Sequence, residues 1–137
     1  MKRTHKKEKV NEDKNWTQEE IAITAKEEEI MRLLWEGGKM SVKEMLDRMP
    51  EPKPHVNTVS TFVRQLEAKG YVGHEAAGMG YRYFAILPKK NFSRKTLGEV
   101  VKNYFNNNML SMVSALVDDE ELTVEQLKEL IEIIEKK

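Results

Sequence analysis

The 137 residues contain no cysteine, which removes disulfides, thiolate metal sites and cysteine nucleophiles from the list of possible chemistries. No apolar run approaches the roughly 20 residues that span a bilayer. The N-terminal MKRTHKKEKVNEDKNW is basic but lacks the apolar centre of a signal peptide. A soluble, cytoplasmic protein without membrane insertion is therefore expected. Histidine is scarce, and His5, His55 and His74 have no spacing suited to a metal site. There is no Gly-rich phosphate loop and no Gly-x-Ser-x-Gly elbow. These absences argue against an enzyme and leave no cofactor to expect; His55 reads better as a residue at a helix start than as a base.

Net charge is lacking too, with 23 Lys/Arg against 23 Asp/Glu, but the balance hides a pattern. Residues 1–15 carry +3, residues 16–38 carry −4, residues 39–102 carry +6 and residues 103–137 carry −5. A basic middle between acidic flanks is the charge layout of a polyanion-binding surface inside a neutral protein.

Residues 1–20 read as a flexible basic N-terminal arm without periodicity, and Trp16, Ile21 and Ile23 are expected to dock onto the body. In TAKEEEIMRLLWEGG, Thr24 and Glu27 have capping-box spacing, and Ile30, Met31, Leu34 and Trp35 share one face. This predicts a helix over 25–36, ended by Gly37-Gly38. Met40-Ser41-Val42 is either a single strand or a turn into a second helix over 42–49. PEPKP forbids helix continuation, and a third helix starts near 54–56 and stops at Gly70. The period then drops to two: YVGHEAAG, the turn Gly78-Met79-Gly80 and YRYFAIL read as a β-hairpin. The remainder reads as two amphipathic helices, the first interrupted at Asn106-Asn107-Asn108 and the last opened by Thr123.

Helix, short strand, helix, turn, helix and hairpin is the order of a winged helix-turn-helix. The expected fold is therefore mainly α with a small β-hairpin. A DNA-binding domain over 21–90 is followed by a C-terminal helical dimerisation region over 91–137. In such a domain the third helix enters the major groove and the wing lies against phosphates. On a helical wheel Val56, Val59, Phe62, Val63 and Leu66 form a core stripe. The opposite face presents Asn57, Thr61 and Arg64, flanked by Thr58, Ser60 and Gln65. A face of short hydroxyl and amide groups approaches another surface closely, and Asn, Thr and Arg can read adenine, thymine and guanine edges. The base-reading candidates are Asn57, Thr58, Ser60, Thr61 and Arg64. Lys39, Lys43, Lys53, Arg82 and Lys89 are the phosphate candidates. Winged helices also serve as protein-interaction modules, so a module in a larger assembly stays open as the alternative.

The last 45 or so residues hold more apolar surface than two helices bury alone. Tyr104, Phe105, Met109, Met112, Val113, Leu116, Leu130, Ile131 and Ile134 are the candidates for a homodimer interface. A two-fold dimer suits a reader of half-sites one or two turns apart.

TAKEEEIMRLLWE resembles the first-helix signature of the BlaI/MecI penicillinase-repressor family, and NTVSTFVRQLEAKGYV resembles its recognition helix through Thr58, Val59, Thr61, Leu66, Lys69 and Gly70. YRYFAIL is similar to that family's Tyr-x-Tyr strand, and LVDDEELTVEQLKELIEII to its last connector and helix. The resemblance spans about residues 22–137. It implies a dimeric transcriptional repressor on a double-stranded palindromic operator, released in some relatives when a membrane sensor protease triggers cleavage in the dimerisation region. The relatives' scissile bond aligns with Ala115 and Leu116, a departure from the family's Asn-Phe. Many relatives carry Gly-Arg at the wing tip where this chain has Gly78-Met79, which leaves Arg82 to supply the wing's charge.

Overall fold

A computed structural model of the chain describes Trp16 and residues 21–137. The basic arm expected over 1–20 lies outside the described residues apart from Trp16. The elements are α1 (Ala25–Gly37), α2 (Val42–Asp47), α3 (Val56–Ala68), β1 (Val72–Ala77), β2 (Gly80–Ala85), α4 (Lys89–Tyr104), α5 (Met109–Asp118) and α6 (Val124–Glu135). This is a mostly helical chain with one antiparallel hairpin, the order of a winged helix-turn-helix followed by three helices.

Two compact units divide the chain, residues 1–94 and 95–137. In the first, the capping signals act as their spacing implies. Thr24 and Glu27 close a capping box at α1, and Ser41 and Glu44 close another at α2. The core is built from Ile30, Met31 and Leu34 of α1, Met45 of α2 and Val59, Val63 and Leu66 of α3. Tyr71, Val72, Ala85 and Leu87 complete it from the hairpin side. Ile21 is buried with them, and Trp16 and Ile23 pack on the edge. Trp16 sits 5.6 Å from the Tyr71 ring, whose hydroxyl accepts from the Ala22 N–H at 2.9 Å.

Met40 turns out to serve both suggested roles of its segment. It makes a one-residue bridge with Tyr83, exchanging bonds of 3.0 and 2.8 Å, and the next residue caps α2. The hairpin register pairs His74 with Tyr83 and Ala77 with Gly80. Gly73 is required there, since a Cβ would meet the Phe84 ring at 2.8 Å. Gly70, at φ +86°, reverses the chain from α3 into β1, a conformation costly for any residue with a Cβ.

Two expectations need correcting. Val56 is 44% exposed rather than part of the core stripe. A wheel assumes a helix covered along its length, whereas residues 50–58 are all exposed and the first turn of α3 lies beyond its packing partners. The C-terminal part has three helices, not two. Asn106 and Asn107 adopt left-handed φ of 53° and 59°, which ends the helix, and Asn108 caps α5 by accepting from the Ser111 N–H. The first of these helices runs from Lys89 to Tyr104.

The second unit, taken by itself, buries little. Neither α5 nor α6 contains a buried residue.

Candidate nucleic-acid interface

The third helix begins on a cap that its composition disguises. His55 accepts the Asn57 N–H through Nδ1 at 3.0 Å, which puts the imidazole at the helix start rather than in a catalytic pair. Val59, Val63 and Leu66 turn inward, with Phe62 partly covered. Asn57, Thr58, Thr61, Arg64 and Gln65 are exposed and Ser60 is half-buried, so the five reading candidates form one continuous surface. Thr61 donates its hydroxyl proton to the Asn57 carbonyl at 2.9 Å, leaving its methyl and the oxygen's lone pairs for a partner.

The five phosphate candidates divide sharply. Lys39 pairs with Glu75 at 2.9 Å and lies 5.7 Å from the Phe84 ring centroid. Lys53 donates to the carbonyls of Leu46 (2.7 Å) and Met49 (2.6 Å), capping the end of α2. Arg82 donates to the Lys39 carbonyl at 3.0 Å and faces both oxygens of Glu44 at 3.3 Å. These three cations are engaged within the chain. Lys43 on α2 and Lys89 at the start of α4 are exposed and make no ion pair with a described residue.

Arg82 also leaves a mark on its acceptor. The bond from the Ser41 N–H, against an opposing effect of desolvation and with help from the Arg82 charge, holds the Glu44 carboxyl below the usual carboxylate range.

A cluster beside α3 had no signature in the one-dimensional pattern. His74 of β1 contacts the Glu67 carboxylate of α3 through Nδ1. The His74 ring lies 4.7 Å from Tyr81, edge-on, and 5.8 Å from Tyr83. Burial, followed by the Glu67 charge, pushes the Tyr83 phenol above its ordinary pKa, and Arg64 opposes the rise. Only the hairpin register and the docking of the hairpin on α3 bring these residues together, so no local spacing could announce them.

Lys69, part of the recognition-helix resemblance, has an internal partner as well. Its Nζ donates to Glu27 Oε1 at 2.7 Å and to the Ala22 carbonyl at 3.0 Å. Glu27 is 1% exposed. Burial alone would raise its pKa, but the bonds from Lys69 and Thr24 outweigh burial and hold it lowered.

Among the dimerisation candidates, Tyr104, Met109, Leu116, Leu130, Ile131 and Ile134 are exposed, while Phe105, Met112 and Val113 are half-buried. Leu110, Val117, Val124 and Ile133 add exposed apolar surface that was not anticipated. Ala115 and Leu116 lie inside α5, and the Ala115 carbonyl accepts from the Asp119 N–H at 3.1 Å. Among the described residues no group of three or more His, Asp or Glu is arranged to hold a metal ion, and no helix is long and apolar enough to cross a membrane.

Comparison with known proteins agrees with this layout. The penicillinase repressor family profile matches residues 23–136. The methicillin resistance regulatory protein MecI of Staphylococcus aureus strain N315 is 22% identical over 116 residues, covering 84% of this chain and 94% of the relative. The penicillinase repressor of Bacillus licheniformis is 21% identical over 115 residues, covering 83% and 90%. An uncharacterised 16.5 kDa protein of Latilactobacillus sakei matches at 22% over 116 residues. With the profile spanning α1 through α6, the chain belongs to the penicillinase repressor family.

Proposed function

We propose that this chain is a dimeric, sequence-specific repressor of transcription that occupies a palindromic operator in double-stranded DNA. The observation that carries the reading is the outer face of α3: Asn57, Thr58, Ser60, Thr61 and Arg64 are polar and nearly uncharged, beside a hairpin wing. Water-facing helices of this chain carry Glu and Lys instead, as α6 does. A face of short polar groups suits base edges in the major groove, where Asn and Arg make paired hydrogen bonds and Thr methyls meet thymine. Lys43 and Lys89, both exposed, are the phosphate contacts favoured now, ahead of Lys39, Lys53 and Arg82.

Dimerisation runs through the C-terminal helices. The exposed Leu130, Ile131 and Ile134 of α6, with Met109 and Leu116 of α5, supply an apolar surface that a monomer would leave in water. Two copies related by a two-fold axis present two α3 helices to two half-sites. The targets proposed are resistance genes, as the relatives' names suggest, and the working place is the cytoplasm. Release by a membrane sensor protease acting near Ala115-Leu116 is compatible only if the last turns of α5 unwind, since a protease takes an extended segment.

The test is fluorescence anisotropy on duplex DNA from the chain's own promoter across a salt series. Specific binding with log K falling linearly with log salt, several units in slope, is the expected result. If no DNA binds even at low salt, the protein-interaction module takes over as the reading.

A further inference from the structure

The wing of this protein offers DNA no free cation. Between Val72 and Ala85 the sole Arg or Lys is Arg82, and it is committed to the Lys39 carbonyl and the Glu44 carboxylate. Lys39, the neighbouring cation, is paired with Glu75 of the wing itself. What the wing does present is apolar and aromatic. Met79 at its tip is fully exposed, and it stands between Gly78 and Gly80, where even an added Cβ would meet nothing within 4 Å. It is therefore the one side chain on a slim, projecting turn. Tyr81, two residues on, is 54% exposed, with its ring held edge-on by His74 at 4.7 Å. His74 is in turn fixed to Glu67 of α3. Glu67, His74 and Tyr81 thus touch in series from α3 into the wing, and Met79 lies on the turn two residues before Tyr81.

We propose that the wing engages DNA by apolar insertion rather than by phosphate neutralisation. Met79 lies against the sugar edges of the minor groove flanking the α3 half-site, with the Tyr81 ring and hydroxyl on the adjoining backbone. This rests on the DNA-binding reading above. The chemistry follows from three properties. A methionine side chain is unbranched and adaptable. Apolar wedges are a recurrent device of minor-groove contact. Glycines on both sides let the backbone come close without steric cost. Such a contact releases no counterions, so its contribution is the same at low and high salt. It would also favour flanking steps whose minor groove opens easily, giving specificity at positions α3 does not touch.

The experiment measures binding of the full chain to a labelled duplex from its own promoter over a salt series, for wild type, Met79→Ala, Met79→Arg and Arg64→Ala. Met79→Ala is expected to weaken binding about tenfold at every salt concentration, a parallel shift. Met79→Arg is expected to steepen the salt slope by about 0.9. Hydroxyl-radical footprinting should show sugar protection outside the half-sites with wild type and its loss with Met79→Ala. A Met79→Ala protein that binds and footprints like wild type overturns the proposal while Arg64→Ala still weakens binding, so the DNA reading survives. Absence of DNA binding by wild type removes both readings together. The tip is fully exposed, so the variants are expected to melt with wild type, and circular dichroism checks that.

Discussion

Lys69, the residue that ends α3, reaches back across the core to Glu27 in the first turn of α1, with 2.7 Å between Nζ and Oε1. The carboxylate is enclosed while the ammonium remains about one-third exposed, so the pair joins a buried acid to a partly hydrated base. It ties the start of the first helix to the end of the helix proposed to read DNA. Lys69→Ala removes the main partner of a buried charge and is expected to cost about 2–4 kcal/mol by urea denaturation. The double variant Glu27→Gln, Lys69→Met is expected to recover most of that loss, because neither charge is then left uncompensated.

The same carboxylate sets an acid limit. Its pKa is lowered in the folded protein, so its contribution is fully present above the unfolded carboxylate value of about 4.3 and disappears as pH falls through the folded value. The stability gap between wild type and Glu27→Gln should hold constant from neutral pH to about pH 5 and shrink below that. A gap that widens on acidification would contradict the assignment.

Base reading is expected to reside in Arg64 and Thr61. Arg64→Ala or Thr61→Ala should weaken operator binding by about 1–3 kcal/mol with the melting temperature retained. Thr61→Val keeps the methyl and loses the bond to the Asn57 carbonyl, so it should behave closer to wild type if the methyl is the contact. Unchanged specific binding in both alanine variants would remove these residues from the reading face.

Arg82 is held by Glu44, and that hold can be loosened without losing the helix cap. Glu44→Gln retains an oxygen for the Ser41 N–H but discards the charge that faces Arg82. The freed guanidinium is expected to reach a phosphate and steepen the salt slope of DNA binding by about 0.9. An unaltered slope would mean that the Lys39 carbonyl alone keeps Arg82 in place.

The apolar face of α6 predicts the oligomeric state. Wild type should scatter light as a dimer at micromolar concentration, and Ile131→Glu combined with Ile134→Glu should yield a monomer. That monomer should lose operator affinity more than tenfold while its helical content changes little.

Local chemistry was readable wherever neighbours along the chain decide the outcome. The capping boxes at Thr24 and Thr123, the stop at Gly70 and the hairpin around Gly78 depend on hydrogen bonds and φ angles spanning four residues or fewer. The family resemblance followed from the same stretches. Legibility failed where a helix meets its surroundings. Val56 belongs to the apolar stripe by periodicity, yet it is exposed because nothing covers the first turn of α3. Asn106 to Asn108 read as an interruption, but two residues in the left-handed region made it a complete break between helices.

The amino-acid sequence by itself determined the order of elements, the nearly uncharged outer face of α3 and the membership that goes with them, since periodicity and capping are properties of short windows. Tertiary structure alone decided which cations remain free. Lys39, Lys53 and Arg82 look alike as basic residues, and only folding brings Glu75, the last carbonyls of α2 and Glu44 within reach of them. Electrostatic attraction falls with distance in space rather than along the chain, so a charge count cannot tell an occupied cation from a free one. Folding occupies Arg82 and so leaves the wing of this repressor-family protein without a free cation, beside the methionine that the sequence places at its tip.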